Sequence, residues 1–362
     1  MATIDSLPTP ALLLDVDVLQ RNIDRMAQRA ETLGVRLRPH VKTHKCLEIG
    51  ALQRDAGAAG ITVSTLFEAG VFAEHGFDDI TWAFPLILDR VDEAVALAGR
   101  VRLGLLIDSS EALRALATRA HADHPLRVWI KVDCGYHRAG LDPESDELIA
   151  LAASIEQASG LQFAGILTHS GHAYHVFGDD ARRAVAEQER DIMVAAADRL
   201  RVQGIEVPDV SVGSTPATTA ARSLTGITEV RPGNYVFYDY TQWALGSCVA
   251  TDVAVSVLAS VVSRMPDHSV VDAGALAMSH DPGPEQQSRH MGPVLRDDGT
   301  LDPELTLLSV SQEHGIINRP LPVGTRLRIM PNHSCLTVAC FDEYNVIRED
   351  DVIDRWRIHR GR

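Results

Sequence analysis

Eight short apolar runs, each closed by a turn and most followed by a stretch of helical period, constrain this chain more than any other feature. The runs lie near Leu37–His40, Ile61–Ser64, Ile80–Pro85, Gly104–Asp108, Val128–Asp133, Phe163–Thr168, Asp209–Val212 and Thr228–Arg231. Between them, Thr65–Gly76, Leu88–Ala98, Ser110–Ala120, Ser145–Ser159 and Asp179–Gln203 place apolar residues at the spacing of one helix face. Strand followed by helix, repeated eight times in about 200 residues, is the pattern of a (β/α)8 TIM-like barrel, an α/β fold. An open doubly wound sheet is the alternative, but no G-x-G-x-x-G follows an early strand.

From about Thr251 the texture changes. β-branched runs at Val253–Val262, Ser269–Asp272, Leu305–Ser309, Arg326–Met330 and Leu336–Ala339 are separated by Gly, Pro and Asp turns. They predict a smaller, mostly antiparallel C-terminal β domain. The expected division is a barrel over 9–245 and a β domain over 246–362, with residues 1–8 packed on the latter. Arg264–Thr300, which includes His280-Asp-Pro-Gly-Pro-Glu-Gln-Gln, reads as loop or lid.

Composition narrows the function. With 34 Lys+Arg against 49 Asp+Glu the net charge is −15, and no long basic run offsets it, so nucleic acid is an unlikely partner on electrostatic grounds. No apolar stretch approaches the ~20 residues that span a bilayer, and the N-terminus lacks a basic segment followed by an apolar one. The expectation is a cytoplasmic protein without membrane contact. Five cysteines, with no C-x-x-C pair, argue against a disulfide framework. Lysine occurs only at Lys42, Lys45 and Lys131, which makes each one worth questioning.

In a barrel of this kind, functional groups sit at the C-terminal ends of the strands. Arg38, His40 and Lys42 follow a period of two, so a first strand running through Lys42 would put all three on one face and the ammonium at the barrel mouth. Lys42 is the first candidate for a covalent role, because a lysine forms a Schiff base when desolvation or a neighbouring cation lowers its pKa. A solvated loop lysine fits the same spacing. Further strand ends carry Lys131-Val-Asp133-Cys-Gly135-Tyr-His-Arg138, Thr168-His169-Ser-Gly171-His172-Ala-Tyr174-His175, Val212-Gly213-Ser214-Thr215 and Arg231-Pro-Gly233-Asn234-Tyr235. The last two are small or glycine-containing and suit either a phosphate or a plain turn. His169, His172 and His175 could ligate a metal if helical, but Gly171 favours a loop.

In the β domain, Met330-Pro-Asn-His333-Ser-Cys335 holds a histidine and a cysteine two apart, which on a strand would project from one face as two ligands of one metal. Imidazole plus thiolate suits zinc, and two local ligands would leave positions open for water or substrate. A buried cysteine beside a surface histidine fits the motif as well.

Taken in order along the chain, these motifs resemble the fold-type III pyridoxal-phosphate (PLP) enzymes, specifically the D-threonine aldolase and D-serine dehydratase group. The resemblance rests on Arg38-Pro-His-Val-Lys42-Thr-His-Lys, Val132-Asp-Cys-Gly-Tyr-His-Arg138-Ala-Gly, Gly165-Ile-Leu-Thr-His169, Gly213-Ser-Thr, Arg231-Pro-Gly-Asn-Tyr and Pro331-Asn-His-Ser-Cys335, and runs from about Thr9 to Tyr344. It implies an alanine racemase-like barrel whose Lys42 holds PLP as a Schiff base, with Gly213, Ser214, Thr215, Gly233 and Asn234 on the phosphate. It also implies Arg138 near the phenolic oxygen, His169 beside the ring and Arg231 at the pyridine nitrogen. His333 and Cys335 would hold zinc, or manganese, as catalytic ligands, and the assembly would be a homodimer. The implied activity is a lyase acting on a small D-β-hydroxy amino acid. His-x-Cys resembles the zinc-dependent D-serine dehydratases, whereas the aldolases tend toward His-x-Asp, so the resemblance favours a D-serine/D-threonine dehydratase, an ammonia-lyase. D-threonine aldolase and 3-hydroxy-D-aspartate aldolase are the alternatives, with racemase and non-catalytic PLP carrier further off.

Overall fold

A computed structural model describes residues 2–284 and 289–361. The chain divides into two compact units. One is made largely of Ala27–Lys42 and Gln53–Gly233, the other of the residues up to Met26, Thr43–Leu52 and Asn234–Arg360.

The first unit is the eight-stranded parallel barrel. Its strands are β1 (Arg36–Leu37), β2 (Ile61–Val63), β3 (Asp79–Pro85), β4 (Arg102–Ile107), β5 (Leu126–Lys131), β6 (Leu161–Leu167), β7 (Asp209–Val212) and β8 (Glu229–Val230). They lie in the order β1-β8-β7-β6-β5-β4-β3-β2. A parallel bridge between His40 and Thr62, with Thr62 N–H donating to the Pro39 carbonyl at 2.9 Å, joins β2 back to the segment after β1. The strands read as unbroken apolar runs because both faces are covered: Val210 and Val212, and Ser211 between them, are all buried. Helices are placed by caps written in the sequence. Thr65 Oγ1 accepts from Glu68 N–H at 3.1 Å while Glu68 Oε2 accepts from Ser64 N–H at 2.7 Å; Ser109 and Ser145 cap Ser110–Ala117 and Asp146–Gln157 by accepting from Ala112 N–H and Leu148 N–H.

One expectation fails at β1, which ends at Leu37; Lys42 lies in a 3-10 turn, Val41–Thr43. The alternation of backbone donors persists past the strand, with Arg38 N–H donating to the Val230 carbonyl at 2.9 Å and His40 N–H to the Pro232 carbonyl at 3.0 Å, and it is broken by the turn that begins at Val41. Arg38 does not share a face with Lys42 at the barrel mouth. It is buried against Glu229 and Asp79 instead.

The second unit is built on a ten-stranded sheet. Its order is Ala2–Thr3, Asp351–Arg357, Glu343–Arg348, Ala11–Asp15, Val255–Arg264, Ser269–Val271, Gly315–Ile317, Leu301–Val310, Gly292–Leu295 and Arg326–Ile329, and the last pairs again with Val255–Arg264. Every pairing is antiparallel except that of Glu343–Arg348 with Ala11–Asp15. Leu12, Leu13 and Leu14 are all at most 1% exposed, and burial of each side chain contributes about 1.5–3 kcal/mol, which fixes this N-terminal strand in the sheet. Asp15 ends it, its Oδ1 accepting from Val18 N–H at 3.0 Å in the first turn of helix Val16–Thr32.

Two readings of this region are corrected. The run Leu336–Ala339 is not a strand; helix Ser334–Val338 occupies it. Arg264–Thr300 is not all loop: besides the expected strand, at Ser269–Val271, it contains helix Ala275–Met278 and strand Gly292–Leu295. Glu285, Gln286, Gln287 and Ser288 of that stretch lie outside the described residues. Among the described residues no helix is long and apolar enough to cross a membrane.

Candidate active site

In the barrel unit the polar residues gather past the C-terminal ends of the strands, as the fold requires. Lys42 is exposed in its turn. His40 and His169 are both held well below the ordinary imidazole range, first by burial and then by positive charge. Lys42 and Arg231 act on both rings, and Lys131 and Arg138 act on His169 as well. Both rings are therefore neutral, with Lys42, Arg138 and Arg231 as cations acting on them in a protein of net charge −15. Local positive potential of this kind favours an anionic group.

Arg231, at the end of β8, is 5% exposed and pulled down to about 10 by burial. It donates to the Thr168 carbonyl and to Ser211 Oγ. Ser211 in turn donates to Glu229 Oε1 at 2.7 Å, and Arg38 donates to Glu229 Oε2 at 2.7 Å and to Asp79 Oδ1 at 2.8 Å. A continuous polar chain thus runs through the barrel interior from Asp79 to Arg231.

Past β7, Gly213 takes φ +107°, a conformation that costs other residues energy, and a Cβ there would lie 3.0 Å from Thr218 Oγ1 and 3.2 Å from Arg231 N. Ser214 caps helix Thr215–Ala220, accepting from Ala217 N–H at 3.4 Å, and Ser214 and Thr215 are buried. Thr218 Oγ1 is buried with no hydrogen-bond partner among the described residues. A glycine cradle, an unspent hydroxyl and neighbouring cations fit a phosphate group, so this loop suits PLP.

Glu189, on helix Asp179–Val202, was not marked by the sequence. It is 2% exposed, and its Oε1 accepts from Ser170 N–H and Gly213 N–H, both at 3.1 Å. It therefore ties the loop after β6 to the loop after β7. Gly213 shapes the cradle, but its own N–H is committed to Glu189. In sequence, Arg-Ala-Val-Ala-Glu-Gln-Glu189-Arg resembles any solvated helix face.

The three histidines after β6 do not converge on a metal. They lie around Tyr136, whose ring centroid is 6.2 Å from His169, 6.3 Å from His172 and 6.4 Å from His175. Arg138 covers the same ring at 5.1 Å. A Cβ on Gly171 would come within 2.2 Å of Tyr136, so only glycine permits this approach. Among the described residues no group of three or more His, Cys, Asp or Glu is arranged to hold a metal. Lys131, buried beside Arg231 and Arg138, is brought down to about 7, with burial the main cause.

In the second unit, His333 is the N-cap of helix Ser334–Val338 and Cys335 lies in its first turn. The pairing is thus a helix-terminus geometry, not the strand alternation the spacing suggested. His333 Nδ1 donates to Asp281 Oδ2 at 3.0 Å. Burial opposes protonation of this imidazole, but Asp281, Cys335 and Asp239 outweigh it and raise it to about 11. The surroundings thus stabilise positive charge at an imidazole–sulfur pair, and a carboxylate on the distal ring nitrogen is the usual support of a metal-binding histidine. This donor set fits a divalent metal with two protein ligands. The Cys335 thiol donates to Thr43 Oγ1 at 3.3 Å, and Cys340 lies apart, against the Leu336 carbonyl.

Asn234 also belongs to this unit. Its Nδ2 donates to Asp239 Oδ2 at 2.6 Å and to Ser334 Oγ at 2.9 Å, so both amide hydrogens are engaged within this unit. Asp239 and Asp281 were also missed. Asp239-Tyr-Thr-Gln242 carries a helix-cap signature that pointed to structure rather than to a site.

Comparison with known proteins matches residues 14–241 to the alanine racemase N-terminal domain and 254–347 to a D-serine dehydratase-like domain. The chain is 42% identical to D-threo-3-hydroxyaspartate dehydratase of Delftia sp., covering 99% of each chain. It is 37% identical to D-serine dehydratase of Dictyostelium discoideum, covering 97% of this chain and 96% of the relative. A solved D-threo-3-hydroxyaspartate dehydratase, a cysteine-to-alanine mutant in the metal-free form, superposes with a TM-score of 0.95 at 41% identity over all of both chains. With the barrel, its strand-end residues and these two domain matches in agreement, the chain belongs to the fold-type III PLP enzymes, in the group that joins an alanine racemase-like barrel to a D-serine dehydratase-like domain.

Proposed function

We propose that this chain is a PLP- and metal-dependent lyase that eliminates water from small D-β-hydroxy amino acids, releasing ammonia and a 2-oxo acid. The observation that carries the reading is the His333/Cys335 pair at a helix terminus braced by Asp281. His-x-Cys resembles the dehydratases of the group, and the similar dehydratases above support that side of it. A metal-free form of a cysteine mutant of one of them supports a metal at a cysteine.

In this reading Lys42 would be the covalent anchor for PLP, and its Nζ would serve as the base for the Cα proton. Ser214, Thr215, Gly233 and the backbone N–H of Asn234 would hold the phosphate, with Gly213 giving the loop its turn. Arg231, fixed by Thr168 and Ser211, would hold a cation at the ring nitrogen. Neutral His169 would lie beside the ring and Arg138 near its oxygen. When bound, PLP supplies a sink for the electron pair left at Cα. A zinc or manganese ion on His333 and Cys335 supplies a Lewis acid for the departing hydroxide. The working form is a homodimer in the cytoplasm.

The test is incubation of the PLP- and zinc-loaded protein with D-threonine, D-serine and D-threo-3-hydroxyaspartate. Ammonia with 2-oxobutyrate, pyruvate or oxaloacetate, respectively, is the expected result. Glycine with acetaldehyde from D-threonine overturns dehydration in favour of aldol cleavage. No turnover of any of the three refutes the substrate class.

A further inference from the structure

The strongest unused group is Asp239, a carboxylate 1% exposed that accepts from four donor atoms. Its Oδ1 takes Gln242 N–H at 2.9 Å and so caps helix Tyr240–Leu245. Its Oδ2 takes Asn234 Nδ2 at 2.6 Å, Ser334 N–H at 3.0 Å and Ser334 Oγ at 3.2 Å. Ser334 is the residue between His333 and Cys335, so one oxygen grips both backbone and side chain of the link joining the two candidate ligands. Asn234 braces the same link from the other side, through Ser334 Oγ at 2.9 Å and Cys335 Sγ at 3.9 Å. His333 has a separate brace in Asp281, which fixes its ring but not its distance to the sulfur.

We propose that Asp239 is the positioning residue of the metal site: it sets the His333–Cys335 geometry through Ser334 and adds negative charge behind the pair. The inference rests on the reading of His333 and Cys335 as metal ligands. Asp239 touches neither metal nor substrate; it acts through the turn that carries the ligands. Outer-shell partners of metal ligands are worth about 10–100-fold in affinity, and that is the range expected on loss of this carboxylate.

The experiment is zinc competition against a chromophoric chelator, on PLP-loaded wild type and on Asp239→Asn, His333→Ala and Ser334→Ala. Thermal unfolding of each is followed in excess chelator. Asp239→Asn should weaken zinc by about 10–100-fold, whereas a role confined to fold stability would lower the metal-free melting temperature and leave the zinc affinity alone. Ser334→Ala, which keeps the N–H contact and loses the hydroxyl ones, should weaken zinc by at least about threefold, the scale of one hydrogen bond. If Asp239→Asn does not fold, Ser334→Ala decides. Zinc affinity within threefold of wild type in the deciding variant, while His333→Ala loses the metal, overturns the role of Asp239 alone. Equal zinc binding by wild type and His333→Ala overturns the metal reading and this inference with it.

Discussion

Glu189→Ala would leave two buried N–H groups, those of Ser170 and Gly213, without the carboxylate oxygen that accepts both at 3.1 Å. Each buried donor left unsatisfied costs about 1–3 kcal/mol, so the pair should cost about 2–6 kcal/mol, before any cavity. Glu189→Gln keeps an acceptor oxygen and should cost well under half of that. The two variants also separate in pH. Burial, the largest influence, pushes the Glu189 carboxyl above its ordinary range despite the opposing Gly213 and Ser170 N–H groups and Arg231. For an acid raised in the folded state, stability is fully present below the unfolded pKa and is lost as pH rises through the folded one. The wild type should therefore lose stability relative to Glu189→Gln as pH rises from about 4 towards 7. Urea unfolding at several pH values measures both effects, and absorbance-monitored PLP titration measures whether the loops still form the cradle. An alanine variant within about 1 kcal/mol of wild type, below the cost of one buried unsatisfied donor, with unchanged PLP affinity would refute the reasoning.

Lys42→Ala should abolish the visible absorption of the PLP-loaded protein; a borohydride-fixed adduct surviving in that variant would move the anchor to Lys131. Arg38→Leu strips the partner from buried Glu229 and from Asp79, and should cost about 3–5 kcal/mol in urea unfolding, as breaking a buried ion pair does. His169 is held below the ordinary imidazole value of 6.5, mainly by burial, so its contribution to stability is present above that value and lost as pH falls below it. Comparing the acid limb of wild type with that of His169→Asn checks this: the variant's limb should be shallower. L-serine and L-threonine should be poor substrates, and equal turnover of both enantiomers would contradict the proposed function.

The barrel was legible because its strands are covered on both faces and so appear as apolar runs; seven of the eight predicted runs coincide with strands, and the first meets its strand only at Leu37. The short run Leu336-Thr-Val-Ala misled because an apolar segment of that length does not distinguish strand from helix. What decides it is the carboxylate of Asp239, which takes Ser334 N–H at the helix start from 95 residues away in sequence. The same limit applies to Arg38, whose partners Asp79 and Glu229 lie on other strands, and to Glu189, whose neighbours are backbone N–H groups that carry no letter of their own. Motifs on one strand end could be found by reading; the residues that hold two strand ends together could not.

The polar chain from Asp79 through Arg38, Glu229 and Ser211 to Arg231 has a consequence for anyone who would harden this barrel by redesign. Substituting oil for ions inside a protein commonly raises its melting point. Here the same exchange would set the Arg231 guanidinium adrift at the working end, so a tougher variant could also be a duller one. Selection for thermal endurance alone should accumulate changes on the outer helices and spare this interior file.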